Sequence, residues 1–205
     1  MSIIKLSSDA LTTAVAGQIE YDGKVFYGTP QSTQRGVIPG EQYFRLDAAL
    51  AGANVNTAQN TFGVGVSLSA STVYEFEAVF ALSKTAGTTS HTTTPSFGGT
   101  ATLNNISFVQ YTSPSTVGST DRVATNAVFP SSAAGVAVAG ATTSATYFVT
   151  VVQKGTVSIN AAGSFIPQYT LSAAPGGAYS TVAGSYFKIY PIGTSGANIS
   201  VGTWA

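Results

Sequence analysis

No stretch of this chain repeats its apolar residues at the three-and-four spacing of a helix face, and that absence narrows the fold more than any other feature. The nearest candidate, Glu41 to Ala53, is cut at Gly52. What recurs instead is the short run rich in Val, Ile, Thr, Tyr and Phe, bounded by Gly, Pro, Asn or Ser. Val73 to Leu82 is the clearest example. Tyr74, Phe76, Ala78, Phe80 and Leu82 fall on one face of an extended segment, and Val73, Glu75, Glu77 and Val79 fall on the other. Further strands are expected at Thr100–Tyr111, Val123–Phe129, Thr146–Gln153, Thr156–Asn160, Phe165–Ser172 and Tyr186–Ile192. Strands joined by glycine-rich connections, with no helices between them, argue against a parallel sheet. The expected fold is all-β: a jelly-roll-like antiparallel β-sandwich, preceded by an N-terminal arm and a short β-hairpin.

The hairpin is read at Gln18–Tyr27, where Asp22-Gly23 separates two apolar runs. An Asp-Gly pair supplies the positive φ angles of a two-residue type I′ turn. Gly28 to Gly40, which holds two Pro and three Gly in all between strand-like runs, reads as a loop. Residues 1–40 are therefore expected to form an arm with the hairpin, and 41–205 the jelly-roll-like body.

Charged residues are 8% of the chain, against roughly 25% in an ordinary soluble domain. Eight basic and eight acidic residues cancel, so steering to nucleic acid or anionic membrane gains little, and neither partner is expected. A surface of Ser, Thr, Asn, Gln and Gly suits an extracellular or virion protein, and equally a chain largely covered by its neighbours. There are no cysteines, which removes disulfides and thiolate chemistry. The N-terminus shows no signal-peptide core, and the longest apolar stretch, Ala133 to Ala141, is too short for a bilayer.

Residues for chemistry are sparse. His91, the one histidine, lies in the polar run Thr88–Thr94 and reads as a solvated loop side chain; no Gly-x-Ser-x-Gly accompanies it. One histidine without cysteine gives no usual metal site, and no cofactor or catalytic residue is expected. Glu75 and Glu77 project to one side about 7 Å apart at strand rise, a spacing compatible with a glycosidase pair but commoner on a plain solvent face. Asp9, Asp47 and Asp121 lack calcium-loop spacing, Asp121-Arg122 reads as a turn, and Gly63-Val-Gly65 lacks the third glycine of a phosphate loop. Among the aromatics, Phe76, Phe80, Phe148 and Tyr186 read as core. Tyr111, Tyr169, Tyr179 and Trp204 are the candidate exposed rings, suited to stacking on sugar or packing against protein. Ile3, Ile4 and Leu6 of the arm, with Tyr21, Phe26 and Tyr27 of the hairpin, are the candidate interface residues.

The run Ala16-Gly-Gln-Ile-Glu-Tyr-Asp-Gly-Lys-Val-Phe-Tyr-Gly-Thr-Pro30, followed by Arg35-Gly-Val37 and Glu41-Gln42, resembles an entry motif of tailed-phage structural proteins. Gly163–Gln168, Gly184–Gly193 and Val201–Trp204 are similar to the closing part of the same modules, so the resemblance brackets about Leu11 to Trp204. It implies a virion component, usually trimeric, with a jelly-roll-like body and no catalytic residues. Tail-fibre relatives carry such a module on a shaft, whereas here the motif follows Met1 closely. That favours a capsid decoration (cement or knob) protein, assembled in the host cytoplasm and seated on the major capsid protein or other virion proteins. The alternative is a tail-fibre tip recognising host-surface glycan.

Overall fold

The computed structural model describes residues 4–116, 126–138 and 140–204, and across them the chain is an antiparallel β-sandwich with a small N-terminal sheet. The small sheet joins β1 (Gln18–Tyr21), β2 (Phe26–Thr29) and β3 (Gly36–Ile38). The body adds β4 (Gln42–Arg45), β5 (Leu50–Ala51), β6 (Gln59–Asn60), β7 (Val66–Leu68), β8 (Thr72–Lys84), β9 (Thr93–Gly98) and β10 (Thr102–Ser115). It continues through β11 (Asn126–Val128), β12 (Tyr147–Ala161), β13 (Gly163–Leu171), β14 (Ser180–Thr181) and β15 (Tyr186–Thr194).

The large sheet runs β11-β10-β12-β8. Beyond β8 the next row is shared by β15 and β14, and the last row by β4 and β5. The second layer centres on β13, with β9 on one side and β7 and β6 on the other. Strand β8 alternates buried and half-buried without a break over its length, as the sequence period requires. Its inner face meets rings from both layers. Phe76 lies 4.9 Å from Phe97 of β9, 5.9 Å from Phe108 of β10, 5.8 Å from Phe165 of β13 and 6.4 Å from Phe187 of β15, centroid to centroid. Each such ring contributes roughly 1.5–3 kcal/mol by burial, so this cluster holds the layers together.

Several expectations need correction. The two strands expected at 146–153 and 156–160 are one strand, β12, paired with β10 and β8 on its two sides. Gly155 is not a break; it makes room for β10, since a Cβ there would sit 2.1 Å from the Ser107 carbonyl oxygen. The hairpin exists, but its turn spans Asp22 to Val25 rather than two residues. Asp22 Oδ1 accepts the N–H groups of Lys24 and Val25 at 2.8 and 2.7 Å, and only Gly23 takes a positive φ, +94°. This side-chain cap replaces the type I′ turn. The presumed loop 28–40 contributes the third strand, β3, paired with β2. Phe148 and Tyr186 sit half-buried on the outer face of the large sheet rather than in the core. Of the strand expected at 123–129, Asn126–Val128 is seen; residues 123–125 and the pair Asp121-Arg122 lie outside the described residues.

The small sheet is tied to the body through Lys24, whose ammonium donates to the carbonyls of Ala70 and Ser71. Val25 is buried at the join. Residues 193–202 return alongside the small sheet, closing a cleft of about 330 Å³ lined in part by Asp22, Tyr27, Arg35 and Asn198.

Candidate interaction surfaces

The register of the small sheet sorts its side chains cleanly. Tyr21, Phe26 and Ile38 stand in one cross-strand row, and Ile19 shares their face two residues away. Ile19 is 62% exposed, and Phe26 and Ile38 are also exposed. Tyr21 is half-buried because its ring stacks on Phe26 at 4.5 Å. The face carries no charged side chain. On the opposite face Glu20, Tyr27 and Val37 form a row. Tyr27 was expected at an interface but is buried within the chain, its hydroxyl donating to Asp22 Oδ2 at 3.1 Å. Burial, then the Asp22 charge, pushes that hydroxyl up to about 12.

Glu20 fastens the arm to this second face. It accepts from Thr12 N–H and the Thr12 hydroxyl, both at 2.9 Å, and pairs with Arg35 at 2.6 Å. The Thr12 backbone bond, followed by the hydroxyl and Arg35, holds its carboxyl below the usual range. The arm is pinned again where Asp9 N–H donates to Tyr21 O. Before that point Ile4 and Leu6 are exposed, and Ile3 lies outside the described residues.

The outer face of the large sheet collects five of the sixteen formally charged residues: Glu41, Glu75, Glu77, Lys154 and Lys188, which with Tyr190 line a cleft of about 200 Å³. Glu75 and Glu77 do face outward with Val73 and Val79, half-buried, as the alternation implies. Neither is free. Tyr186 donates to Glu77 at 2.5 Å, an engagement that, with burial, pushes the tyrosine up to about 12. Tyr190, raised to about 12 by burial first and then by Glu75, stands opposite Glu75 across the β15–β8 pair. Lys188 pairs with Glu41 at 3.6 Å. Tyr43 stacks on Tyr186 at 5.5 Å and is 55% exposed. Asp47 pairs with Arg45 on the exposed surface.

A groove of about 320 Å³ opens between the layers beside β4. Phe44, Phe62, Val64, Val66, Phe187 and Ile189 line it, and Val64 is 44% exposed. Its rim is a sheet edge: β4 pairs with β15 on one side and, among the described residues, with no strand on the other. Sequence reading missed this groove. Gly63-Val-Gly65 was weighed only for phosphate, and the signal that points to it, valines alternating with glycine next to Phe62, has no strand period to draw attention.

His91 corrects the expectation of a solvated loop residue. It is buried, bridged through its backbone to Thr142, with Nδ1 2.7 Å from Thr89 O and Nε2 2.8 Å from the Tyr179 hydroxyl. Tyr169 and Tyr179, expected among the exposed rings, are both fully buried, 6.5 Å apart. Burial raises both hydroxyls, Tyr169 to about 12 and Tyr179 further. Beside them Lys84 is buried with no carboxylate partner among the described residues, its ammonium donating to the carbonyls of Ala86, Gly87, Ser144 and Ala145. Burial lowers its pKa. This cluster closes one end of the sandwich, and polar Ser and Thr neighbours gave it a loop-like sequence. Tyr111 and Trp204 are exposed as expected, Trp204 at 81%, but they do not meet: Tyr111 stands beside β11, and Trp204 lies past β15 near Arg35.

Among the described residues no group of three His, Cys, Asp or Glu could hold a metal ion, and no helix is long and apolar enough to cross a membrane. No family model matches the chain, and no curated protein matches it. Among solved structures it is matched to the structure of infectious bursal disease virus Gx strain, at 9% identity and a TM-score of 0.17, over 83% of this chain and 47% of that one. The chain thus spans about half of that length, and so low a score carries no argument about fold or function.

Proposed function

We propose that this chain is a non-enzymatic structural component of a virus particle: a self-associating, trimeric decoration protein of the capsid surface. The observation that carries the reading is the uncharged apolar face of the small sheet, where Ile19, Phe26 and Ile38 are exposed together. Contiguous apolar surface of this kind marks contact with another protein. A chain with 8% charged residues has little else to keep it apart from its neighbours. The phage-like entry motif occupies this same sheet, from Ala16 to Pro30.

The titratable groups favour the same reading over catalysis. Both ring nitrogens of His91 are engaged in a buried network, Glu77 accepts from Tyr186, and Glu75 stands opposite Tyr190 across the β15–β8 pair. A glycan-binding tip is the second reading, and two of the four rings expected to serve it, Tyr169 and Tyr179, are inside the fold.

Electron cryo-microscopy of particles of the virus that encodes the chain tests the proposal. Regular density at capsid symmetry positions, fitted by this sandwich, is the expected result. Density confined to the tail would put the fibre-tip reading first, and absence from particles would overturn the proposal.

A further inference from the structure

We propose that the N-terminal arm of one copy lies in the groove beside β4 of a second copy, adding a strand to its free edge. The inference rests on the self-association reading above and adds a second contact besides the apolar face of the small sheet.

The groove and the arm fit in three respects. First, β4 presents an unpaired edge directly above an apolar groove, the arrangement to which an extended peptide adds by main-chain hydrogen bonds while alternate side chains fill pockets. Second, Ile4-Lys5-Leu6 has the period such a peptide needs. Ile4 and Leu6 fall on one face and Lys5 on the other. Ile4 is 90% exposed in its own fold, and among the described residues no hydrogen bond holds Ile4 to Ser8 before the Asp9–Tyr21 anchor. Third, length and charge agree. Five residues before that anchor reach about 16 Å, enough to run the length of four-residue β4. With Ile4 and Leu6 facing inward against Phe44, Lys5 emerges on the outer side, on the row of Glu41, whose only ion pair among the described residues is the 3.6 Å contact with Lys188.

The occupant is a second copy rather than the chain's own arm. The arm in its own fold is pinned at Asp9 and leaves Ile4 in solvent, while Val64 and Phe44 stay exposed in the groove. A donated arm covers both sets at once. A head-to-tail contact of this sort closes into a ring where the rotation between copies is one third of a turn, which is the geometry of the proposed cyclic trimer.

The chain has no cysteine, so introduced thiols report alone. The doubly substituted full chain, Leu6→Cys with Val64→Cys, is oxidised mildly and run on a denaturing, non-reducing gel. Most chains are expected in covalent oligomers of the same size as the native assembly, while each single variant stays unlinked. A disulfide within one chain, free thiols throughout, or linkage in the Leu6→Cys variant alone would each overturn the inference. Wild-type sedimentation separates the two claims: association without the cross-link sinks the arm-in-groove contact only, whereas a monomeric wild type sinks self-association as well.

Discussion

Replacing Gly155 by alanine puts a methyl group where the large sheet has no space for one. The added Cβ would lie 2.1 Å from Ser107 O and 2.5 Å from both Cα and Cβ of Phe108. An ordinary contact is about 3.4 Å or more, so a shift of roughly 1 Å is required. The obstacles are backbone atoms of β10, held by its register with β12 from Ser107↔Thr156 to Val109↔Lys154. Phe108 also belongs to the buried ring cluster, so moving β10 away loosens Phe76 and Phe97 contacts. Overpacking costs about 1–3 kcal/mol, and each ladder hydrogen bond that lengthens adds about 1 kcal/mol. A loss of about 3 kcal/mol is expected, a large share of the 5–15 kcal/mol typical of a domain. Urea unfolding followed by intrinsic fluorescence measures it, with the slope unchanged and the midpoint lowered. Gly40→Ala is the control, since a Cβ there meets nothing within 4 Å and the φ is ordinary. A Gly155→Ala midpoint indistinguishable from wild type would refute the close approach of β10 and β12 on which the sheet order depends.

Tyr179→Phe keeps the ring but removes the hydroxyl that faces His91 Nε2, so a loss of about 1–3 kcal/mol is expected in the same urea assay; no change would mean the buried network is not formed. Alkaline stability follows from tyrosines raised in the fold: Tyr27, Tyr169, Tyr186 and Tyr190 titrate near 12, against about 10 when unfolded. Between those values the folded chain keeps protons that the unfolded chain has lost, so stability is full below about pH 10 and falls as pH rises towards about 12. Buried Tyr169 alone accounts for ~1–3 kcal/mol of that fall. Unfolding midpoints at about pH 9 and about pH 11 check it, and Tyr169→Phe should flatten the decline.

How far the sequence could be read depends on whether a segment has one wet face. Strand β8 was legible because its outer side carries Glu75 and Glu77 between valines, so the period shows. Strand β12 is flanked on both sides, and its one glycine looked like punctuation although it marks where β10 comes close. The short strands β3 to β7 carry too few residues to show a period, and β4, β6 and β7 pair on the longer strands β15 and β13. The same limit applies to the candidate residues. Ile4, Leu6, Phe26, Tyr111 and Trp204 are exposed as their neighbours suggest. Tyr169, Tyr179 and His91 are buried because hydroxyl-rich segments fold across the end of the sandwich, and Ser and Thr bonded to backbone lose the character of a surface. The groove beside β4 joins residues from β4, β7, β13 and β15, and no local pattern announces such a meeting.

Sedimentation equilibrium of the full-length chain at micromolar concentration tests most directly the claim that it is built to associate with itself. The account predicts a single species at a multiple of 20.8 kDa, threefold for the proposed trimer. A soluble, homogeneous species of 20.8 kDa would contradict it, and the apolar face of Ile19, Phe26 and Ile38 would then have to be stable in water on its own.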